Sequence, residues 1–321
     1  MKIVVLDGYT LNPGDLSWKE LENLGDLTVF DRTPYNCKDI IKHIGDADIV
    51  FTNKTPLNEE VLNMTTSLKY IGILATGYNV VDVNTAKAKG IVVTNVPDYS
   101  SKAVAQFTVA LVLELCHHIG DHNTSVQNGD WIKSNDFSYW NSPLIELHGK
   151  TLGLIGFGKI GKATAKIAEA FGMQILVYNR TVYNKFESEN LKFVSLDKLL
   201  AGSDFVSLHC PLTDETKGII NQQNIQKMKD GAFLINTSRG PLVNEEDLTT
   251  ALNSGKLAGA ALDVISEEPM NPSNPLLNAK NCIITPHIAW ASKEARRRLM
   301  KTTVENLKAF LAGEVINVVN K

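Results

Sequence analysis

Two doubly wound parallel-sheet domains are the fold class that this sequence predicts, on three observations. The chain has 321 residues, more than one hydrophobic core usually serves. Short runs rich in Ile, Val and Leu recur along it, which is how strands buried on both faces read. Those runs alternate with helical patterns, and they do so twice over. Strand and helix in alternation build a parallel sheet with helices on both sides.

In the first hundred residues the runs are "KIVVLDG", "LTVFDR", "ADIVFTN", "KYIGILA" and "IVVTNV". Next comes "SSKAVAQFTVALVLELCHHIGDHN", residues 100–123, whose apolar positions recur at helical spacing. It reads as one long helix joining the domains. Six further runs follow: "TLGLIGF", "ILVYNR", "DFVSLHC", "AFLINTS", "AGAALDV" and "CIITPH". The chain closes on "SKEARRRLMKTTVENLKAFLAGE", a second long amphipathic helix that carries it back toward the first domain. The expected boundaries are residues 1–98 plus 289–321 for the first domain and 99–288 for the second.

Composition narrows the function classes. Hydrophobic residues make up 44% and charged residues 21%, ordinary for a soluble globular protein. A net charge of -3 provides no basic field for nucleic acid or an anionic membrane. The opening "MKIVVLDGYT" has an apolar run too short for a signal peptide or a membrane span, so it reads as the first strand. Cys37, Cys116, Cys210 and Cys282 lie far apart with no C-x-x-C, the pattern of reduced thiols in a cytoplasm. The nearest approach to a metal motif is His117-His118-x-x-x-His122. Adjacent residues on a helix project about 100° apart, so no metal site is expected.

The first chemistry-bearing stretch is Gly156-Phe157-Gly158-Lys159-Ile160-Gly161, a G-x-G-x-x-G run between an apolar strand and a helix. Gly156 would make the tight turn, Gly158 would let backbone approach a pyrophosphate, and Gly161 would let helix and strand pack closely. The helix start, at Lys159 and Ile160, offers free N–H groups to phosphate. A tight turn serving packing alone is the competing reading. About 20 residues on, an acid should grip the adenosine ribose. Asn179 stands there instead, followed by Arg180 and Thr181. Asn179 can bond the ribose hydroxyls without repelling a 2′-phosphate, and Arg180 with Thr181 could bind one. The cofactor is therefore read as NAD or NADP. Arg180 pointing to solvent, or stacking on the adenine, remains open.

The second constellation sits at the ends of later strands. "LINTSRGPLVNEEDL" places Thr237, Ser238 and Arg239 there, "ALDVISEEP" places Asp263 with Glu268 beyond it, and "TPHIAW" places His287. Ligands of open α/β sheets bind beyond the carboxyl ends of the strands, so these groups should converge. An Arg, a carboxylate and a His suit reversible reduction of a 2-oxo acid. Arg239 would hold the substrate carboxylate and polarise the carbonyl. His287 would pass a proton to the new alkoxide. Glu268 would bond the other imidazole nitrogen, fixing its tautomer and favouring its charged form. Taken singly, Arg239 also reads as a solvated arginine and Glu268 as an exposed side chain.

In "LATGYNVVDV", "VPDYSSKAVAQFTVALVLEL", "LHGKTLGLIGFGKIG", "HCPLTDETKGII", "LINTSRGPLVNEEDL", "ALDVISEEP" and "TPHIAW" the chain resembles the D-isomer-specific 2-hydroxyacid dehydrogenases over nearly its whole length. The resemblance implies a Rossmann cofactor domain inserted in a flavodoxin-like substrate domain, with a cleft that closes over substrate. It implies Arg239, Glu268 and His287 as catalytic residues. Asp263 would bond the nicotinamide carboxamide, while Val104, Cys210, Pro211, Thr216, Thr237 and Ser238 would border the cofactor. Backbone N–H groups of Ala75, Thr76, Gly77 and Tyr78 would receive the substrate carboxylate. Many members have Asp where this chain has Asn179, which loosens the expectation of strict NAD use. "FSYWNSPLIELHGKTLG" and "HIAWASKEARRRLM" look most like the glycerate dehydrogenases, also called hydroxypyruvate reductases. Trp290 would wall the substrate pocket or serve as a core aromatic. A glyoxylate or other 2-oxo acid reductase of the same family is the alternative, and a dinucleotide-sensing binding protein a more distant one. The family also implies a homodimer through the cofactor domain.

Overall fold

Five parallel strands form the first sheet: β1 (Lys2–Val5), β2 (Asp26–Val29), β3 (Ile49–Thr52), β4 (Tyr70–Ile73) and β5 (Val92–Thr94), ordered β2-β1-β3-β4-β5. That is the flavodoxin-like order. The central strands β3 and β4 are buried at every position, which is why they read as unbroken apolar runs rather than alternating ones. Asn36, Asn58 and Asp82 each cap a connecting helix by accepting a backbone N–H from the first turn. The computed structural model describes all 321 residues. It clusters into one unit of residues 1–100 with 291–321 and another of residues 101–290.

The C-terminal helix, Lys293–Leu311, starts from a Ser292 cap and belongs to the first unit. Arg296 on this helix grips Asp15 with both arms, at 2.6 and 2.8 Å. Its guanidinium holds the Asp15 carboxyl down at about 2. The tail then lies along the exposed edge of the sheet. Val319 N–H donates to Val93 O at 2.9 Å and Val93 N–H to Asn320 Oδ1 at 3.0 Å. An edge strand that would otherwise present free backbone groups is thereby covered.

The second unit holds seven parallel strands: β6 (Thr151–Ile155), β7 (Gln174–Tyr178), β8 (Leu191–Phe193), β9 (Phe205–Leu208), β10 (Ala232–Asn236), β11 (Leu257–Leu262) and β12 (Cys282–Ile284). Their order is β12-β11-β10-β9-β6-β7-β8, the dinucleotide-binding arrangement with an added strand at one edge. Alternate residues feed the two faces. Ala232 and Leu234 of β10 join one apolar cluster, and Phe233 and Ile235 join the other. The order reverses between β9 and β6, and such a switch point opens a crevice at the carboxyl edge.

Two details differ from the sequence expectation. β8 has only three residues, one of them buried, too little apolar pattern to read as a strand. The 100–123 helix is broken: Ser101–His117 ends at His118, which turns left-handed at φ 47°. A second helix, Ile119–Gln127, departs at 55°. The Glu114 side chain supports the break by accepting Gly120 N–H at 3.0 Å. No single helix is long and apolar enough to cross a membrane.

Candidate active site

Register brings the sequence-nominated residues of the second unit to one edge. Across the sheet, Tyr178 pairs with Ile155, Ile155 with Leu208, Leu208 with Asn236, Asn236 with Leu262, and Leu262 with Ile284. These are the last residues of β7, β6, β9, β10, β11 and β12. The glycine turn, Asn179–Thr181, Cys210–Pro211, Thr237–Arg239, Asp263 and His287 therefore leave the sheet side by side. The loop Ala75–Tyr78 follows β4 in the first unit, where Thr76 Oγ1 donates to Val96 O at 2.8 Å.

Each glycine of the turn between β6 and the Lys159–Ala170 helix meets a different constraint. Gly156 has φ 101°, and a Cβ there would stand 2.6 Å from the His209 and Cys210 backbone. At Gly161 a Cβ would stand 2.5 Å from Gly156 O. Gly158 has open space where its Cβ would be. The helix also starts with no side-chain cap at Gly158, and the N-terminus of a helix attracts an anion. An open cradle over an uncapped helix start fits a pyrophosphate.

Asn179 does more than end β7. Its Oδ1 accepts Phe157 N–H at 3.1 Å, and its Nδ2 donates to Thr181 O at 2.7 Å. The side chain thus ties the glycine turn to the turn carrying Arg180 and Thr181, both exposed. On the other side of the switch point, Thr216 Oγ1 donates to Pro211 O at 2.7 Å and shapes the loop after β9. The Cys210 thiol is buried, and burial pushes its pKa up. Thr237 Oγ1 meets Thr108 Oγ1 at 2.9 Å, and Thr108 bonds Val104 O, which places Val104 near the same edge.

The His287 imidazole is held from one side. Its Nδ1 lies 2.7 Å from Glu268 Oε2. The backbone at His287 is left-handed, φ 54°, a conformation that costs free energy for a non-glycine residue. Asp263 sustains it. Its carboxylate is 1% exposed and accepts Thr285 Oγ1 at 2.6 Å, Ile288 N–H at 2.9 Å and Ala289 N–H at 2.8 Å. The residue that the family resemblance assigns to the nicotinamide carboxamide is thus also a clamp on the His287 loop.

Three positioning roles escaped the sequence reading. Buried Asn236 accepts Ser238 N–H at 3.0 Å and donates to Arg239 O at 2.9 Å, so it shapes the turn that presents Arg239. A Cβ on Gly240 would fall 1.9 Å from the Ile265 carbonyl carbon. Only glycine lets the Arg239 loop press against the loop leading to Glu268. Glu245 accepts Ser266 N–H at 2.7 Å and Asn274 Nδ2 at 2.8 Å, fixing that same loop from behind. A polar residue ending a five-residue buried strand was the available signal for Asn236.

A family model described as the D-isomer specific 2-hydroxyacid dehydrogenase, NAD binding domain, matches residues 109–289. The hydroxypyruvate reductase of Blautia hydrogenotrophica is 58% identical over 322 residues, spanning 100% of both chains. The glycerate dehydrogenase of Methylorubrum extorquens is 40% identical over 320 residues, 99% of this chain and 98% of its own. Among solved structures, Aquifex aeolicus D-lactate dehydrogenase, complexed with NAD and lactic acid, matches with a TM-score of 0.84 at 30% identity, covering 100% of this chain and 99% of that one. An acyclic imino acid reductase in complex with NADPH and D-Arg matches with a TM-score of 0.85 at 33% identity, covering 99% of this chain and 100% of that one. With its two parallel-sheet units and its glycine turn at the switch point, the chain belongs to the D-isomer-specific 2-hydroxyacid dehydrogenases, whose NAD-binding domain it carries.

Proposed function

We propose that the protein interconverts hydroxypyruvate and D-glycerate, using a nicotinamide dinucleotide seated on the glycine turn. The observation that carries this reading is the 2.7 Å contact between His287 Nδ1 and Glu268 Oε2, on the sheet edge that also carries Arg239. When bound, the dinucleotide supplies or accepts the hydride. Lys159, Ile160 and the bare backbone at Gly158 would hold its pyrophosphate, and Asn179, Arg180 and Thr181 its adenosine ribose. Arg239 holds the substrate carboxylate and draws electron density from the carbonyl. His287 Nε2 gives a proton to the forming alkoxide during reduction and takes it back during oxidation. Glu268 keeps the imidazole turned for this transfer and stabilises its charged form.

The choice of hydroxypyruvate rests on the names of the Blautia and Methylorubrum relatives. Glyoxylate is the second reading, because relatives 37–40% identical are named glyoxylate reductases. A panel of 2-oxo acids, each assayed with NADH and NADPH, tests it. The highest kcat/KM should fall to hydroxypyruvate, with measurable use of both cofactors. A clear preference for glyoxylate would overturn the substrate assignment.

We infer a homodimer as well. Ile132 and Phe137 are 90% exposed, and Trp131, Trp140 and Leu144 are more than half exposed, all within residues 131–144; large apolar side chains bared together are what a partner surface covers. A second copy of the chain covers them in this reading, and a monomeric mass in sedimentation equilibrium would contradict that. The four free thiols suit a reducing cytoplasm. Burial pushes Cys116 up to about 11 and Cys282 to about 12, so both stay as unreactive thiols.

A further inference from the structure

Lys162 lies in the first turn of the Lys159–Ala170 helix, directly after Gly161. Its Nζ stands 4.5 Å from the Phe186 ring centroid, 4.9 Å from Tyr183 and 5.8 Å from Phe157. The rings support one another: Phe157 meets Phe186 edge-on at 5.7 Å and Phe193 at 5.3 Å. Lys162 as a whole is half-buried, and the close contacts of its ammonium are ring faces rather than a carboxylate. Ring faces attract a cation without neutralising it, so the charge stays available to an anion.

The same cluster brackets the turn after β7. At one end, Phe157 donates its N–H to Asn179 Oδ1. At the other, Tyr183 lies under the Lys162 ammonium. Between them run Arg180, Thr181 and Val182, all exposed, with Asn179 Nδ2 fixing the Thr181 carbonyl. Residues 151–193 contain Lys159, Lys162, Lys166, Arg180, Lys185 and Lys192 against Glu169, Glu187 and Glu189, and Glu187 is turned to accept Phe193 N–H at 3.1 Å. Asn179 stands where a carboxylate would have repelled a phosphate.

We propose that Lys162 is a specificity-determining residue for the cofactor's 2′-phosphate, its ammonium held over the ring cluster so that it faces a phosphate seated on Arg180 and Thr181. The proposal rests on the reading of the glycine turn as a dinucleotide site. The aromatic cluster restricts the lysine before binding, so less side-chain freedom is lost when the contact forms.

Titration calorimetry with two fragments separates the two readings. Adenosine 2′,5′-bisphosphate carries the extra phosphate and 5′-AMP does not. For Lys162→Met, bisphosphate affinity should fall about tenfold while AMP affinity stays within about twofold, the scale of one lost charge-assisted contact. Lys162→Arg should recover most of the loss. Lys162→Gln repeats the charge removal with a polar side chain, and a melting curve for each variant checks that the fold is intact. Equal losses for both fragments, or none for either, would overturn the proposal and leave Lys162 as a support for the rings. Failure of the parent to bind even AMP would instead remove the dinucleotide reading itself.

Discussion

Asp263→Asn should loosen both the fold and the catalytic loop, and the size of the effect follows from its contacts. Asp263 Oδ1 accepts from Thr285 Oγ1 and Ile288 N–H, and Oδ2 accepts from Ala289 N–H. An asparagine can keep its oxygen at the first position. Its NH₂ group then faces the Ala289 N–H, donor against donor. One charge-assisted bond is lost, a buried N–H loses its acceptor, and the other two bonds drop to neutral strength. Each lost charged bond is worth about 1.5–3 kcal/mol, and relief from burying a carboxylate offsets part of the sum. A net destabilisation of about 3 kcal/mol is expected in urea unfolding. The His287 backbone, left-handed at φ 54°, loses the contacts that sustain it. A catalytic group displaced by about 1 Å costs on the order of a hundredfold in rate, so kcat should fall on that scale. AMP affinity should hold, because the adenosine site is built on β6 and β7. Parent-like stability together with parent-like kcat would refute the clamp.

Three further outcomes are expected. In Glu268→Gln the carboxylate that orients the His287 ring through Nδ1 is replaced by a neutral amide, so kcat should fall while NADH affinity holds; parent-like turnover would dismiss Glu268 as the partner. Arg180→Ala should raise KM for NADPH about tenfold or more and leave NADH nearly untouched, since one phosphate contact is removed; equal effects on both cofactors would mean that Arg180 supports the turn or the adenine. Burial holds His209 down at about 4, so its folded form resists the proton that the unfolded chain accepts near the ordinary value of 6.5. That contribution is intact above about pH 6.5 and is lost as pH falls toward 4, at most about 2 kcal/mol between about pH 7.5 and 5 because the ring keeps some solvent contact. Urea unfolding at the two pH values reads it, and His209→Gln, which cannot titrate, should lose less; equal losses in the two proteins would exclude His209 as the source.

Much of the fold was legible because buried parallel strands write themselves as apolar runs. "AFLIN" is buried at all five positions, as an unbroken apolar run of strand length implies. The three-residue strand at Leu191 was not legible, since an edge strand with one buried residue carries no run. The break at His118 was hidden for a different reason. Apolar spacing says where a helix packs, while the left-handed turn depends on Glu114 reaching Gly120 N–H. At the site, Arg239, Glu268 and His287 could be nominated because their side chains suit the chemistry. Asn236, Gly240 and Glu245 act on backbone instead. The demand on Gly240 comes from the Ile265 carbonyl, which lies against it only once the strands are in register. Such contacts are set by the pairing of β10 with β11, not by any local pattern.

The central claim is that His287 carries the proton for a carbonyl held at the end of β12. His287→Ala tests it most directly, with turnover on hydroxypyruvate and NADH affinity measured on the same preparation. The account predicts a fall in kcat of about 100- to 10,000-fold, the usual worth of a general acid, with NADH binding nearly unchanged. Turnover close to that of the parent would contradict it.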